Sequence, residues 1–345
     1  MRALLRRTLP RWARVQASAA LAHADSARLD KELAAIAASG NTIVAGPWLG
    51  EVGFELLYWV PFLAWAAART PLPRERLVVI SRGGTASWYA PFAGRYADVF
   101  EHVTPEGFRD AHDARVAAAG EQKQTSVSEF ERRIVEAAAA RAGIGRWTLL
   151  HPSRMYQLFN PYWWGHLSPA WVHRHADYRV LDAPHRDALQ LPSSYVAAKF
   201  YFNDCFPPTA ANRAFMRDVL ARLASKGPVV ALSTGLNIDD HHGDRVDEFG
   251  VLHLPEGIDP AQNLAVQSAA VAGARAFVGT YGGFSYLAPF YRVPSYAFYS
   301  DPAGFSPTHL AMARSAFERI GESGLLHVNA VSDGAAVDVS GAAHG

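Results

Sequence analysis

Three stretches of the sequence combine residue types that can bind an anion or move a proton. One is Gly279-Thr280-Tyr281-Gly282-Gly283, which follows the apolar run 276–278 and opens a helical pattern. Gly282 and Gly283 let the backbone approach a diphosphate closely. Ser285 and the amides that open the following helix supply donors at the positive end of its dipole, while Thr280 and Tyr281 flank the bound group. A tight turn needing positive φ is the alternative reading of the same glycines. The next is Lys199, at the end of the strand pattern 195–200, where a cation can neutralise a departing diphosphate or simply sit at a strand's surface end. The last is the loop Gly46-Pro47-Trp48-Leu49-Gly50-Glu51-Val52-Gly53-Phe54-Glu55. Glu51 opens a helix there, where a carboxylate complements the dipole by about 0.3–1 kcal/mol. Glu55 lies four residues on and is expected to face the same side.

Around these lie weaker candidates. Thr234 and Gly235 end a strand and are placed to touch a nucleotide, or only to turn the chain. Arg82, Gly83 and Gly84 follow the second strand and read as a loop facing a cleft. A dinucleotide site is disfavoured: Gly46, Gly50 and Gly53 do not have the Gly-x-Gly-x-x-Gly spacing, and the second strand ends in Ser81-Arg82 rather than an acid. The run Asp239-Asp240-His241-His242-Gly243-Asp244 has metal-ligand types, but adjacent loop side chains seldom converge on one ion. It reads as a solvated loop or a nucleotide or sugar contact, and no metal is expected. Trp163 and Trp164, in the ring-rich segment 156–171, suit stacking on sugar faces or packing between domains. The stripe Phe54, Leu57, Tyr58, Pro61 and Phe62 reads as core.

The elements that must position these residues alternate short β-branched runs with helical periods, the pattern of α/β doubly wound domains. Strands are expected at 42–45, 76–80, 147–150, 195–200, 228–232, 251–254, 276–279 and 295–299, with helices at 53–69, 125–142, 209–225, 260–273 and 306–320. With 345 residues, two domains are expected. We divide the chain into a basic helical extension 1–40, a Rossmann-like domain 41–185 that includes an aromatic connector, a second Rossmann-like domain 193–305, a C-terminal helix and return segment 306–331, and a disordered tail 332–345. Segment 152–192 carries Pro152, Pro161, Pro169, Pro184 and Pro192 and reads as loops and a connector. A formal net charge of +1 gives no basic field for nucleic acid. The lone Cys205 fits a reducing compartment, and no run is apolar enough to span a bilayer. A cytoplasmic protein is expected. Arg2, Arg6, Arg7, Arg11 and Arg14 would allow peripheral contact with the inner membrane face, or form a solvated extension.

The segment from Phe277 through Gly279-Thr280-Tyr281-Gly282-Gly283-Phe284-Ser285-Tyr286-Leu287-Ala288 to Pro294 resembles the donor-site segment of GT-B glycosyltransferases of the heptosyltransferase-like group. That group has a Gly-Thr-x-x-Gly turn, Ser-His-Leu-Ala, then Gly-Val-Pro; here Tyr286 replaces the histidine and Arg292 the glycine. The loop 46–55 is similar to the group's N-terminal glycine loop with its acidic residue. The resemblance implies that the two Rossmann-like domains face across a cleft, 41–185 as the acceptor side and 193–305 as the nucleotide-sugar side; Gly50, Glu55, Arg82, Gly83, Trp163 and Trp164 are then the candidate substrate contacts. It implies metal-independent, inverting transfer of a sugar from a nucleoside diphosphate sugar to a hydroxyl of a glycan or lipid-linked acceptor, in cell-surface glycan synthesis and without a cofactor. Glu51 then stands at the position of the catalytic base, with Glu55 as the backup candidate. A nucleotide-sugar epimerase of the same architecture, or a non-catalytic glycan- or nucleotide-binding module, would share these features.

Overall fold

A computed structural model describes residues 10–70, 72–119, 123–184, 189–236, 238 and 243–331. Two parallel sheets hold the strands. The first contains β1 (Thr42–Ala45), β2 (Leu77–Ser81), β3 (Arg95–Asp98) and β4 (Trp147–Leu150) in the order β3-β2-β1-β4. The second contains β5 (Val196–Lys199), β6 (Val229–Ala231), β7 (Leu252–His253), β8 (Ala276–Thr280), β9 (Ser295–Tyr299) and β10 (Leu326–Ala330) in the order β10-β9-β8-β5-β6-β7. β2 and β8 are buried along their whole length, as expected of parallel strands with both faces covered.

The order of each sheet reverses at its centre. β1 lies between β2 and β4, and β5 between β6 and β8, so neighbours in space are far apart in sequence. Lys199, the last residue of β5, pairs with Gly279 of β8. Doubly wound sheets bind ligands just beyond the carboxyl ends of the strands flanking such a reversal.

Several elements depart from the sequence reading. Segment 152–192, expected as loops, contains the helices Ser153–Trp163 and Pro169–His173. Met155, Tyr156, Leu158, Phe159 and Tyr162 form a buried face at helical spacing, and their burial outweighs the interruption by Pro161. Pro169 occupies the first turn of the second helix, where a missing N–H costs little. β3 and β10 were not expected, because the edge strands Arg95-Tyr96-Ala97-Asp98 and Leu326-His327-Val328-Asn329-Ala330 carry no long apolar run. Residues Arg11–Ala38 form one helix that begins after Pro10 and buries Ala22, Leu29, Leu33 and Ile36. Arg154 reaches Glu32 at 2.8 Å and Gln157 donates to Asp25 at 2.8 Å, so this helix is docked on Ser153–Trp163, while Arg11, Trp12 and Arg14 at its start are exposed. Residues 1–9 of the basic segment and the tail 332–345 lie outside the described residues. No helix among the described residues is long and apolar enough to cross a membrane.

The two sheets share one hydrophobic cluster, in which Trp48, Leu57 and Phe62 join Tyr286, Leu287, Phe290 and Phe317. Trp88 donates its indole N–H to Tyr291 Oη at 2.9 Å inside it. The helix Pro307–Arg319 then returns to pack against the turn Glu55–Trp59 and the helix Pro169–His173.

Candidate active site

A cavity of about 490 Å³ lies where the loop after β1 meets the carboxyl ends of β5, β6 and β8. This is within the usual size of small-molecule sites, about 300–1,000 Å³. Of the residues singled out in the sequence, Glu51, Lys199, Thr234, Gly235, Tyr281, Gly282 and Gly283 line it, as do Gly53, Gly243, Asp244 and three residues of the stripe read as core, Phe54, Leu57 and Tyr58.

The loop that carries Glu51 is held from several directions. Gly46 N–H donates to Leu150 O at 3.0 Å and Trp48 N–H to Ile80 O at 2.9 Å. The fully buried Trp48 ring stacks between Trp59 and Tyr156, at 5.9 and 6.0 Å. Gln124 accepts from Leu49 N–H at 2.9 Å and donates to Pro47 O at 2.8 Å and to Glu131 at 2.6 Å. Burial works to raise the Glu131 carboxyl, but hydrogen bonding and charge from His151, with bonds from Ser128, outweigh it and hold the group down at about 2. Arg82 closes the loop by donating to Gly50 O at 2.8 Å. Glu51 follows in extended conformation, and its side chain makes no capping bond to the helix it opens. A carboxylate on a loop fixed this firmly keeps its place without help from a ligand.

Glu55 does not face the cavity, contrary to the expected four-residue neighbourhood. Glu51 lies outside the helix, and Glu55–Trp59 is a π turn, so ordinary i,i+4 alignment does not apply. The Glu55 side chain is fully buried, and Oε1 accepts from Ser81 Oγ and Tyr89 Oη. Burial pushes its carboxyl up to about 7, against the opposing pull of those hydrogen bonds and of Arg82. A folded-state value raised above the unfolded one favours the protonated acid. Its stabilising contribution is whole below the unfolded value near 4.5 and is lost as pH rises through about 7. We expect stability to fall by about 2 kcal/mol between pH 5 and pH 8 from this group. Urea denaturation of the wild type and Glu55→Gln at both pH values checks this: the variant should lose that part of the pH dependence.

Arg82 and Gly83 also depart from the cavity-facing loop expected of them. Arg82 is buried on Gly50, and Gly83 packs against Leu264 while its carbonyl accepts from Ala265 N–H at 2.8 Å. Gly50 carries the carbonyl that Arg82 holds and does not itself line the cavity. Trp163 stands behind Phe54, with ring centres 5.5 Å apart and Lys123 Nζ 4.7 Å from its own ring. Trp164 is 48% exposed beside His166. Neither tryptophan lines the cavity.

On the opposite wall, Lys199 Nζ donates to Gln267 and sits 3.9 Å from the centre of the Phe284 ring. Thr234 Oγ1 donates to Asn263 at 2.6 Å, and Gly235 turns with φ 74°. The glycine turn is built differently from expectation. Ser285 is fully buried; its hydroxyl donates to Gly282 O at 2.7 Å and accepts from Gly282 N–H at 3.1 Å, closing the turn on itself. Thr280 is equally buried, accepting from Tyr201 N–H at 3.0 Å and donating to Tyr201 O at 2.8 Å. Both hydroxyls therefore fix the turn, and the backbone of Gly282 and Gly283 is what faces the cavity. A Cβ on Gly283 would stand 2.7 Å from Gly53 N, so the two glycine loops touch and bring the Glu51 wall against the turn.

Residues 239–242 of the acidic-histidine run lie outside the described residues; Asp244 is paired with Arg213 at 2.6 Å. Among the described residues no group of three His, Cys, Asp or Glu is placed to hold a metal ion. The sequence reading missed Asn263 and Gln267, which sit under Thr234 and Lys199, and His309, which reaches the cavity from the last helix. The sequence reading expected a return segment at 306–331 but singled out no side chain in it.

No family model and no curated protein matches the sequence. Among solved structures, the chain is similar to the iron-containing dodecameric glycosyltransferase TibC from enterotoxigenic E. coli H10407, with TM-score 0.41 and 12% identity over 78% of this chain. It spans 61% of that neighbour's length. It is also similar to the ADP-heptose LPS heptosyltransferase II of E. coli, with TM-score 0.40 and 14% identity over 84% of this chain and 90% of that one. A glycosyl transferase family 9 protein from Veillonella parvula DSM 2008 gives TM-score 0.41 and 11% identity over 84% of both chains.

Proposed function

We propose that this protein transfers a sugar from a nucleoside diphosphate sugar to a hydroxyl acceptor, with inversion at the anomeric carbon. One observation carries the reading: a single cavity at the strand-order reversals has a carboxylate, Glu51, on one wall and a cation, Lys199, with the bare backbone of Gly282 and Gly283 on the other. These are the parts a displacement at an anomeric carbon needs. The Glu51 carboxylate takes the proton of the acceptor hydroxyl as its oxygen forms a bond to the anomeric carbon. The bond from that carbon to the diphosphate breaks on the opposite face, and its electron pair leaves with the nucleoside diphosphate. Lys199 offsets the charge that develops there, and the glycine backbone lets the diphosphate approach closely. A growing cell-surface glycan or its lipid-linked precursor is the acceptor class we assign.

Product analysis with donor alone and with donor plus acceptor tests the assignment. Glycosylated acceptor and free nucleoside diphosphate, formed together and only when both substrates are present, are expected. An altered sugar still attached to its nucleotide, formed from donor alone, would instead identify an epimerase. Charge neutralisation by Lys199 also leads us to expect turnover in excess EDTA equal to turnover without it. An EDTA-dependent loss restored by a divalent cation would reassign that task to a metal.

A further inference from the structure

His309 comes from the far end of the chain, yet it lines the cavity together with Phe54 and Tyr58 of the first wall. Its ring centre is 4.7 Å from that of Phe54, and Nδ1 is 2.7 Å from Tyr58 Oη. The backbone that carries it is fixed three times. Ser306 Oγ accepts from His309 N–H at 3.4 Å, Tyr162 donates to Thr308 O at 2.8 Å, and Tyr281 donates to Ser306 O at 3.3 Å.

The hydrogen bond to Tyr58 decides which ring nitrogen carries the proton. Burial keeps the phenol protonated, raising its pKa well above the ordinary value, and a buried hydroxyl requires an acceptor. The Trp163 indole can only donate to it, so among the described residues its acceptor is His309 Nδ1. Burial, with the nearby charge of Lys123, pushes the imidazole down to about 4, so the ring is neutral near pH 7. Nδ1 therefore accepts, and the single ring proton sits on Nε2. That N–H makes no hydrogen bond to any described residue and belongs to a side chain at the cavity wall.

We propose that His309, oriented by Tyr58, donates its Nε2–H to a hydroxyl of the sugar in the cavity, whose C–H face packs on the Phe54 ring. A neutral donor beside an aromatic face suits a polyol; Lys123 Nζ, 5.7 Å from the Phe54 ring centre, is not among the residues that line the cavity, where Lys199 and the glycine turn serve the diphosphate. The inference rests on the sugar-transfer reading and adds to it a sugar subsite built from the last helix. The hydroxyl belongs to either the donor sugar or the acceptor, and the test separates the two.

The test compares wild type with His309→Phe, His309→Gln and Tyr58→Phe, using the nucleotide sugar that wild type turns over and its bare nucleoside diphosphate. His309→Phe keeps a ring in the wall but removes the donor; the amide of His309→Gln can stand where Nε2–H stands. We expect His309→Phe to weaken nucleotide-sugar binding, or to raise KM for the acceptor, by about tenfold while bare nucleoside diphosphate binds as before. His309→Gln should restore part of that loss. Tyr58→Phe, which keeps the packing, should show a smaller loss of the same kind. A loss confined to nucleotide-sugar affinity assigns the hydroxyl to the donor, and one confined to acceptor KM assigns it to the acceptor. Equal losses for sugar-bearing and bare nucleotide, or folded variants with neither constant changed, would overturn the subsite and leave the transferase reading intact. A wild type that binds no nucleotide sugar would remove both.

Discussion

Glu51→Gln is expected to lower kcat by about 10²–10⁴-fold, the usual worth of a positioned general base, while leaving affinity for the nucleotide sugar unchanged. The split follows from geometry. Glu51 sits at the cavity on a loop pinned through Leu49, Trp48 and Gly50, so losing its charge should not move the loop. Glutamine keeps the shape and cannot take a proton. Steady-state kinetics together with calorimetric titration of the donor checks both halves. Unchanged turnover would place the base elsewhere, and lost donor affinity would mean that Glu51 binds rather than reacts. Glu55 is no substitute: it is fully buried and bonded to Ser81 and Tyr89, away from the cavity.

Gly282→Ala is expected to cost about 2–4 kcal/mol of stability, the combined scale of backbone strain and overpacking. Gly282 has φ 152° and ψ −154°, a region that residues with a Cβ rarely adopt, and an added Cβ would run into the Tyr201 hydroxyl. The two causes can be separated. Tyr201→Phe removes the hydroxyl, so the double variant should recover the contact part of the loss and retain the strain. Urea denaturation of the four proteins in this cycle measures both. Full recovery in the double variant would show that the backbone at Gly282 is not strained, and a single variant as stable as wild type would contradict the close packing of the turn.

The amino-acid order made the scaffold of this site readable and concealed much of its wiring. Apolar β-branched runs such as Thr42–Ala45 and Ala276–Thr280 announce buried parallel strands, and a glycine pair just after β8 announces a place where backbone meets ligand. Placing Lys199 near a cavity needed only the rule that ligands sit beyond strand ends, whereas Glu51 was singled out by the resemblance of the loop 46–55 to that of heptosyltransferase-like enzymes. Thr280 and Ser285 look like ligand donors in sequence because hydroxyl positions are invisible there; the fold spends them on Tyr201 and Gly282. Arg82 was hidden in the same way, since its acceptor is a backbone carbonyl 32 residues earlier. Proline counting concealed the helix Ser153–Trp163, where tertiary burial of one face overrides local preference. A return of the last helix was expected, but which of its side chains reaches the cavity depends on the packing of that helix against Tyr58, so His309 was not legible.

The central claim, that the cavity between Glu51 and Lys199 holds a nucleoside diphosphate sugar, is tested most directly by thermal unfolding of wild type and Lys199→Met with UDP-, GDP- and ADP-linked sugars. Ligand bound only to the native state adds about 2.7 kcal/mol at a concentration one hundred times its Kd. One of these donors is expected to raise the Tm of wild type, and Lys199→Met, folded and stable without ligand, to lose most of that rise. A wild type unmoved by all of them, or a Lys199→Met variant stabilised as strongly as wild type, would contradict the claim.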